Sequence, residues 1–374
     1  MLRTAENRRS VLVGLALSAA LGAAAALLVV AGNPGNMGLC GACFLRDVAG
    51  AFGLSAPPAA PRIFRPEVPG VVLGAALLAL VRGRFVARSG GYAAVRFLFG
   101  VVSAIAALIF LGCPFRMLQR LGGGDVTAWA ALPGFLVGVA VAVAAEERGY
   151  SPGRTQVAPA PVGLVGPLLF ALALTGFFVG GLYLGPGYGE AGKPDHAHAL
   201  VALGVALAAG AALSATGFCA ISAGRALVRR RARKTMAYAA LALVAGYAAV
   251  AIAAGRFGGS PIAHGAWGWN FAALMALGMA GAFAGGCPVR QLVMTGEGNG
   301  DAFAAVVGLL VGGALAHNWG LVSQVATADG PGGPTPRGRI ALIACLVGSA
   351  VYAWALARSR PPAAATPPAS PPPA

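Results

Sequence analysis

Residues 112–126 read GCPFRMLQRLGGGDV, and residues 286–302 read GCPVRQLVMTGEGNGDA. Both begin Gly-Cys-Pro, place an Arg two residues after the Pro, run through a short apolar stretch and close on a Gly-rich turn with an Asp. A second pair lies upstream of these. GLCGACFLR, Gly38 to Arg46, matches GFCAISAGR, Gly217 to Arg225, with Gly, Cys and Arg in register at an offset of 179. The chain is therefore two copies of one unit, and each copy sets cysteines at the start of short interrupted helices. Interrupted apolar segments at corresponding positions of two halves are a sequence pointer to a transporter's binding site.

The composition supports a membrane setting. Of 374 residues, 58% are hydrophobic and 10% charged, with mean hydropathy +0.76. A soluble domain carries about 25% charged residues. The net charge of +16 does not point to nucleic acid, because the arginines sit between apolar segments, where they set membrane orientation. MLRTAENRRS and the roughly twenty apolar residues after it read as a first span, not a signal peptide. PPAAATPPASPPPA reads as a disordered, Pro-rich tail.

Ten apolar runs predict an all-α, polytopic protein of about ten transmembrane helices: 11–31, 67–82, 94–112, 126–145, 163–184, 197–216, 235–255, 268–286, 301–320 and 339–357. The run at 67–82 is short. The duplicated motifs align the first five runs with the second five. Five is odd, so the second copy enters the bilayer in the opposite sense, an inverted repeat. The expected division is 1–160 for the first repeat, 161–360 for the second and 361–374 for the tail. With a cytoplasmic N-terminus, eighteen Lys/Arg fall in cytoplasmic segments and nine in outer ones. That bias predicts both termini inside, with RRRARK, residues 229–234, as the firmest cytoplasmic marker. The loop GPGYGEAGKPDHAH then faces outside.

In this topology Cys40, Cys43 and Cys113 approach from the outer side, and Cys219 and Cys287 from the inner side. The segments after them, about 41–52, 114–121, 220–228 and 288–295, are too short to cross and read as half-helices that dip in and return. Non-helical backbone at that depth is tolerated where it lines a polar cavity or is buried in protein. Half-helix N-termini offer free N–H groups and a positive dipole end to an anion. Pro114 and Pro288 suit a first helical turn, where the missing N–H is no loss. Arg46, Arg116, Arg225 and Arg290 lie within two turns of these cysteines, and an Arg at membrane depth is usually functional. Soft thiols suit a terminal sulfur or selenium, and amides with guanidinium suit a negative charge. No embedded Asp/Glu cluster suggests a metal-ion or proton antiporter.

Simpler explanations stand beside these. Cys40-Gly-Ala-Cys43 alone suggests redox or metal chemistry, but no His or second C-x-x-C accompanies it, and an oxidising periplasm allows a disulfide there. Cys345 has no repeat partner and reads as core. His196, His198, His264 and His317 are expected at span ends as interfacial residues. The four arginines also suit snorkelling to the interface.

NPGNMGLCGACFLRDVAGAFGL, GCPFRMLQRLGGGD, GFCAISAGR and GGCPVRQLVMTGEGNGDAF together resemble the YeeE/YedE membrane transporter family, and most closely its YedE (FdhT) branch linked to selenium metabolism. The resemblance covers essentially all of 10–357. It implies a bacterial inner-membrane protein with an inverted repeat and short re-entrant helices. Thiosulfate-transporting members pass the anion between cysteines through weak S–H···S contacts. Those cysteines match Cys40, Cys113 and Cys287 best, with Cys219 as the repeat mate of Cys40. Cys43 and Arg46-Asp47 belong to the selenium branch.

The expected function is transport of a small sulfur- or selenium-containing anion along a cysteine relay, with half-helix amides and Arg46, Arg116, Arg225 and Arg290 as attractors. No enzyme activity, cofactor, metal or nucleic acid is expected. No G-x-x-x-x-G-K-[ST] is present, so this chain does not drive transport with ATP. One alternative is a sulfur- or selenium-transfer or redox protein working through Cys40 and Cys43. Another is a membrane docking partner for a cytoplasmic sulfurtransferase-like protein, through the basic loop 225–234.

Overall fold

The computed structural model describes residues 2–55, 62–151, 155–181, 196–229 and 234–359. The Pro-rich tail, most of the GPGYGEAGKPDHAH loop and most of RRRARK lie outside the described residues.

Fourteen helices are described. Ten are the predicted runs: α1 (Leu2–Val30), α3 (Glu67–Val81), α4 (Ala93–Phe110), α6 (Thr127–Glu147), α7 (Ala160–Gly180), α8 (Ala199–Thr216), α10 (Thr235–Ala253), α11 (Trp267–Ala284), α13 (Gly300–Asn318) and α14 (Pro336–Ser359). Four are the short segments that follow the cysteines: α2 (Gly41–Ala51), α5 (Pro114–Gly122), α9 (Ala220–Val228) and α12 (Pro288–Gly296). At 1.5 Å per residue these half-helices are only about 14–16 Å long, half of a ~30 Å hydrocarbon layer. Among the described residues, nine helical stretches are long and apolar enough to cross a membrane, and α3, with 15 residues, is the shorter tenth. The chain is a multi-pass membrane protein.

The second copy is inverted. α1 and α8 are the equivalent first helices. The start of α1 (Arg9, Ser10) lines a cavity with Thr216 and Phe218, just past the end of α8. The far end of α1 meets the start of α8, where Ala197 N–H donates to Asn33 Oδ1 (2.8 Å). Equivalent helices therefore run in opposite senses. α1 begins, and α14 ends, at the end of the molecule that carries Arg82. The opposite end carries Asn33.

The two copies interlock rather than sit side by side. α1 packs on α10, and its equivalent α8 packs on α3; α4 packs on α13, and α11 on α6. Paired glycines make these crossings. A methyl on Gly246 would collide with the Ala19 carbonyl, and one on Gly74 with the Leu207 carbonyl. Gly138 against Met275 and Gly312 against Val101 form another equivalent set. Small residues let backbones approach where lipid gives no hydrophobic drive. By element order each copy runs through seven helices, so the division falls between α7 and α8, not at 160/161. α7 and α14 are the peripheral pair. Leu168, Leu172, Ile340 and Val347 stay exposed, as lipid-facing side chains should. A two-stranded ribbon, β1 (Arg88–Ser89) with β2 (Gln156–Val157), closes the Arg82 end.

Candidate functional site at the half-helix N-termini

Each half-helix is N-capped by a cysteine: Cys40 for α2, Cys113 for α5, Cys219 for α9 and Cys287 for α12. Pro114 and Pro288 occupy the first helical position, where the lost N–H would have been unpaired. The helices cannot begin earlier. Leu111, Gly217 and Gly285 are left-handed residues that end the preceding helices just before each of three of these cysteines. Chain reversal and cysteine cap are one local device, repeated.

The caps converge in two pairs, one per copy. Cys40 Sγ lies 3.6 Å from Cys113 Sγ, and the Cys43 N–H donates to Cys40 Sγ at 3.4 Å. In the second copy the Cys287 N–H donates to Cys219 Sγ at 3.4 Å. Cys40 Sγ thus stands where an N-cap oxygen ordinarily would, whereas Cys219 Sγ reaches across to the residue that opens α12. All six cysteines are free thiols, so no disulfide joins Cys40 to Cys43. The two pairs adjoin. Gly41 abuts the α12 start so closely that a methyl there would lie 2.8 Å from Pro288 and Val289. Phe115 meets Phe218 edge to face, with ring centroids 6.0 Å apart, and closes the other side of the junction. Cys43 sits in the first turn of α2, whereas Cys345 lies far from this cluster in sequence, half-buried in α14.

This core is closed. The five clustered cysteines are at most 3% exposed. A cavity of about 430 Å³ approaches from the Asn33 end, lined by Asn33, Gly35, Asn36, Tyr247 and Arg256 among others. One of about 620 Å³ approaches from the Arg82 end, lined by Arg9, Arg82, Thr216 and Phe218 among others. The chain segment 33–40 separates the first cavity from Cys40, and Phe218 separates the second from Cys219. Gln119 fixes the first of these barriers. Its Oε1 accepts the N–H groups of Gly38 (2.9 Å) and Leu39 (3.2 Å), and its Nε2 donates to the Leu39 carbonyl.

The four arginines are engaged with the protein itself. Arg46 contacts Asp47 (2.6 Å) and His317 (3.3 Å). Arg225 bonds Glu146 and the Ala282 carbonyl, and Arg290 bonds Glu297 at 3.1 Å. Arg116 differs. It is 1% exposed and donates to the carbonyls of Gly35, Asn36, Leu111 and Ile262, with no carboxylate among these partners. It ties the Asn33-end loop to the start of α5 and leaves a net positive charge near Cys113.

Buried ion pairs surround the site. Asp47 pairs with Arg65 (2.8 Å), Asp125 with Arg120 (2.7 Å) and Asp301 with Arg96 (3.7 Å), all buried. Burial works against ionisation of Asp125, but Arg120, Ser260 and Thr127 outweigh it and hold the carboxyl below the usual carboxylate range. His264 is fully buried rather than interfacial, with Nε2 2.8 Å from the Ile109 carbonyl. His317 is also buried, beside Arg46. Among the described residues no cluster of three or more His, Cys, Asp or Glu stands ready for a metal.

No protein-family profile matches the chain, and no curated protein does.

Proposed function

We propose that this chain is a bacterial inner-membrane transporter of a small sulfur- or selenium-containing anion, as the YeeE/YedE resemblance implies. The observation that carries the reading is the convergence of two cysteine pairs on four helix N-termini, between cavities that approach from opposite ends. A thiol contacts a terminal sulfur or selenium through a weak, polarisable S–H···S interaction. Amides at the half-helix N-termini offset the negative charge. Arg116 adds a cation within one turn of Cys113, while Arg46, Arg225 and Arg290 act by holding the half-helices in place.

The Asn33 end is the periplasmic side in this reading, and both termini are cytoplasmic. The Lys/Arg bias supports that orientation. It survives when the buried arginines are set aside, because Arg96 leaves one side and Arg65, Arg116 and Arg120 leave the other. An anion enters from the Asn33 cavity, meets Cys40 and Cys113, passes to Cys287 and Cys219 and leaves past Phe218. Movement of residues 33–40 and of Phe218 opens each side in turn.

The test is uptake of ³⁵S-thiosulfate and ⁷⁵Se-selenite by proteoliposomes holding the purified chain. Saturable exchange of either anion supports the reading, and absence of exchange for both overturns it. Formation of a persulfide or selenylsulfide on Cys40 or Cys113 without exchange would favour sulfur or selenium transfer instead.

A further inference from the structure

Glu67 opens α3 and is 2% exposed. Its Oε1 accepts from Asn33 Nδ2 at 2.8 Å, and its Oε2 meets no donor. Its side chain lines a cleft with Leu39, Cys40, Gly41 and Val289. The cleft measures about 10 Å³, room for at most one water. An acidic residue in the first turn suits the helix dipole. That role does not require a buried oxygen left without a donor.

Among the described residues the other deeply buried carboxylates, Asp47, Asp125 and Asp301, have arginine partners, and Glu67 has none. On α2, Arg46 and Asp47 pair with each other and Cys43 lies in the first turn. Arg65, two residues before Glu67, is held by Asp47 and lies over the Phe44 ring. On α12, Arg290 is held by Glu297. On the 31–40 segment Asn33 is neutral and Cys40 is the titratable group. Near α8, His196 stands just before the Ala197 amide that Asn33 holds. A buried carboxylate without a cation is costly. Adding a proton removes the charge and converts an oxygen at the cleft into a donor.

This position is also where an anion at Cys40 would meet a negative charge. We propose, on the transport reading above, that Glu67 binds the coupling proton: its carboxylate takes up one proton as the anion reaches Cys40 and gives it up when the anion leaves. The proton then both removes the repulsion and supplies a hydroxyl donor to the anion. The second copy lacks this device. The crossing-glycine equivalence of Gly74 with Gly246 sets Ala239 opposite Glu67, so the approach from the Arg82 end carries no matching carboxylate. The coupling site is single although the thiol pairs are double.

Proteoliposomes loaded with pyranine and clamped at zero potential give the test, with ³⁵S-thiosulfate as probe. Thiosulfate is a dianion near neutral pH and brings no proton of its own. Wild-type uptake should acidify the lumen, and one pH unit, inside alkaline, should raise accumulation about tenfold for one coupled proton. In Glu67→Gln the ratio of uptake with and without the gradient should fall to one, whatever the absolute rate. Wild-type exchange without lumenal acidification overturns the proton assignment and leaves the transport reading intact. A response to a sodium gradient in place of the pH gradient overturns it equally. An unchanged gradient response in E67Q places the proton elsewhere and overturns it as well. Should E67Q carry nothing, Glu67→Asp decides: gradient-driven uptake restored by Asp supports the site, and Asp carrying as little as Gln overturns it. No exchange in the wild type is the failure of the transport reading itself.

Discussion

Replacing Gln119 with Leu removes three hydrogen bonds and keeps the side chain's approximate size. Gln119 is fully buried, and its amide holds the N–H groups of Gly38 and Leu39 together with the Leu39 carbonyl. With Leu in its place those three backbone groups have no partner and no water. Each stranded group costs about 1–3 kcal/mol, so the loss is on the order of 3 kcal/mol even at the low end. That is a large share of the roughly 5–15 kcal/mol that holds a typical protein folded. The cheapest relief is local: residues 38–39 turn toward the Asn33 cavity and carry Cys40 away from Cys113. Hydrogen exchange read by mass spectrometry should show amides 38–40 opening about a hundredfold faster, since 1.4 kcal/mol is a factor of ten. Thiosulfate exchange should fall at least tenfold by the same conversion. Gln119→Glu keeps the acceptor for two N–H groups and loses the donor to the Leu39 carbonyl, so it should fall between wild type and Leu. Wild-type exchange and transport in Q119L would show that the 38–39 segment does not depend on Gln119, and the account of this barrier would have to be abandoned.

Cys113→Ala and Cys287→Ala should each abolish anion exchange with normal expression, because each removes the thiol at the start of a half-helix in its own copy; Cys345→Ala should leave exchange unchanged. An essential Cys345 with a dispensable Cys287, read in the same uptake assay, would end the relay idea. A membrane-impermeant thiol reagent added to whole cells should label Cys40 or Cys113 before Cys287, slowly because all three are buried, and thiosulfate should slow it further; peptide mass spectrometry of the labelled protein checks the order. Gly246→Ala and Gly74→Ala should destabilise by similar amounts, about 1–3 kcal/mol each for overpacking, because each methyl strikes a backbone carbonyl at an equivalent crossing. Thermal unfolding of both variants in detergent tests this, and a loss in only one would break the equivalence of the two crossings.

The fold was legible because its determinants are local and repeated. Run length and hydropathy locate the long helices, and Gly-Cys-Pro locates two of the half-helix starts, since a left-handed residue must end one helix before proline begins the next. The half-helix bounds read from sequence, 220–228 among them, fall within one residue of those observed. The interlock of the copies was not legible. Nothing in a run of Gly and Ala says that Gly138 faces Met275 rather than a neighbour in its own copy. The boundary at 160/161 disagrees with the five-and-five alignment of the runs, which already places 163–184, the α7 run, in the first copy.

The candidate site was legible in part, and for a physical reason. The cysteines repeat, and the repeat points to them. Gln119 and Glu67 do not: the positions equivalent by helix register hold Val293 and Ala239, so internal comparison is blind to both. The arginines show the opposite failure. Their repetition suggests a shared task, yet Arg290 closes on Glu297 while Arg116 closes on four carbonyls, because position 123 holds Gly where 297 holds Glu. A twofold pseudo-symmetric core would, on the transport reading, serve an anion equally from both sides. Direction requires that the polar surroundings differ, and here they do. The Asn33 side has Arg116, bonded to carbonyls, near Cys113, and a carboxyl oxygen without a donor on Glu67, which lines a cleft with Cys40. The Arg82 side has ion pairs and an alanine. On the transport reading proposed above, what repeats in the sequence marks what an anion would touch, and what fails to repeat marks what distinguishes the two ends.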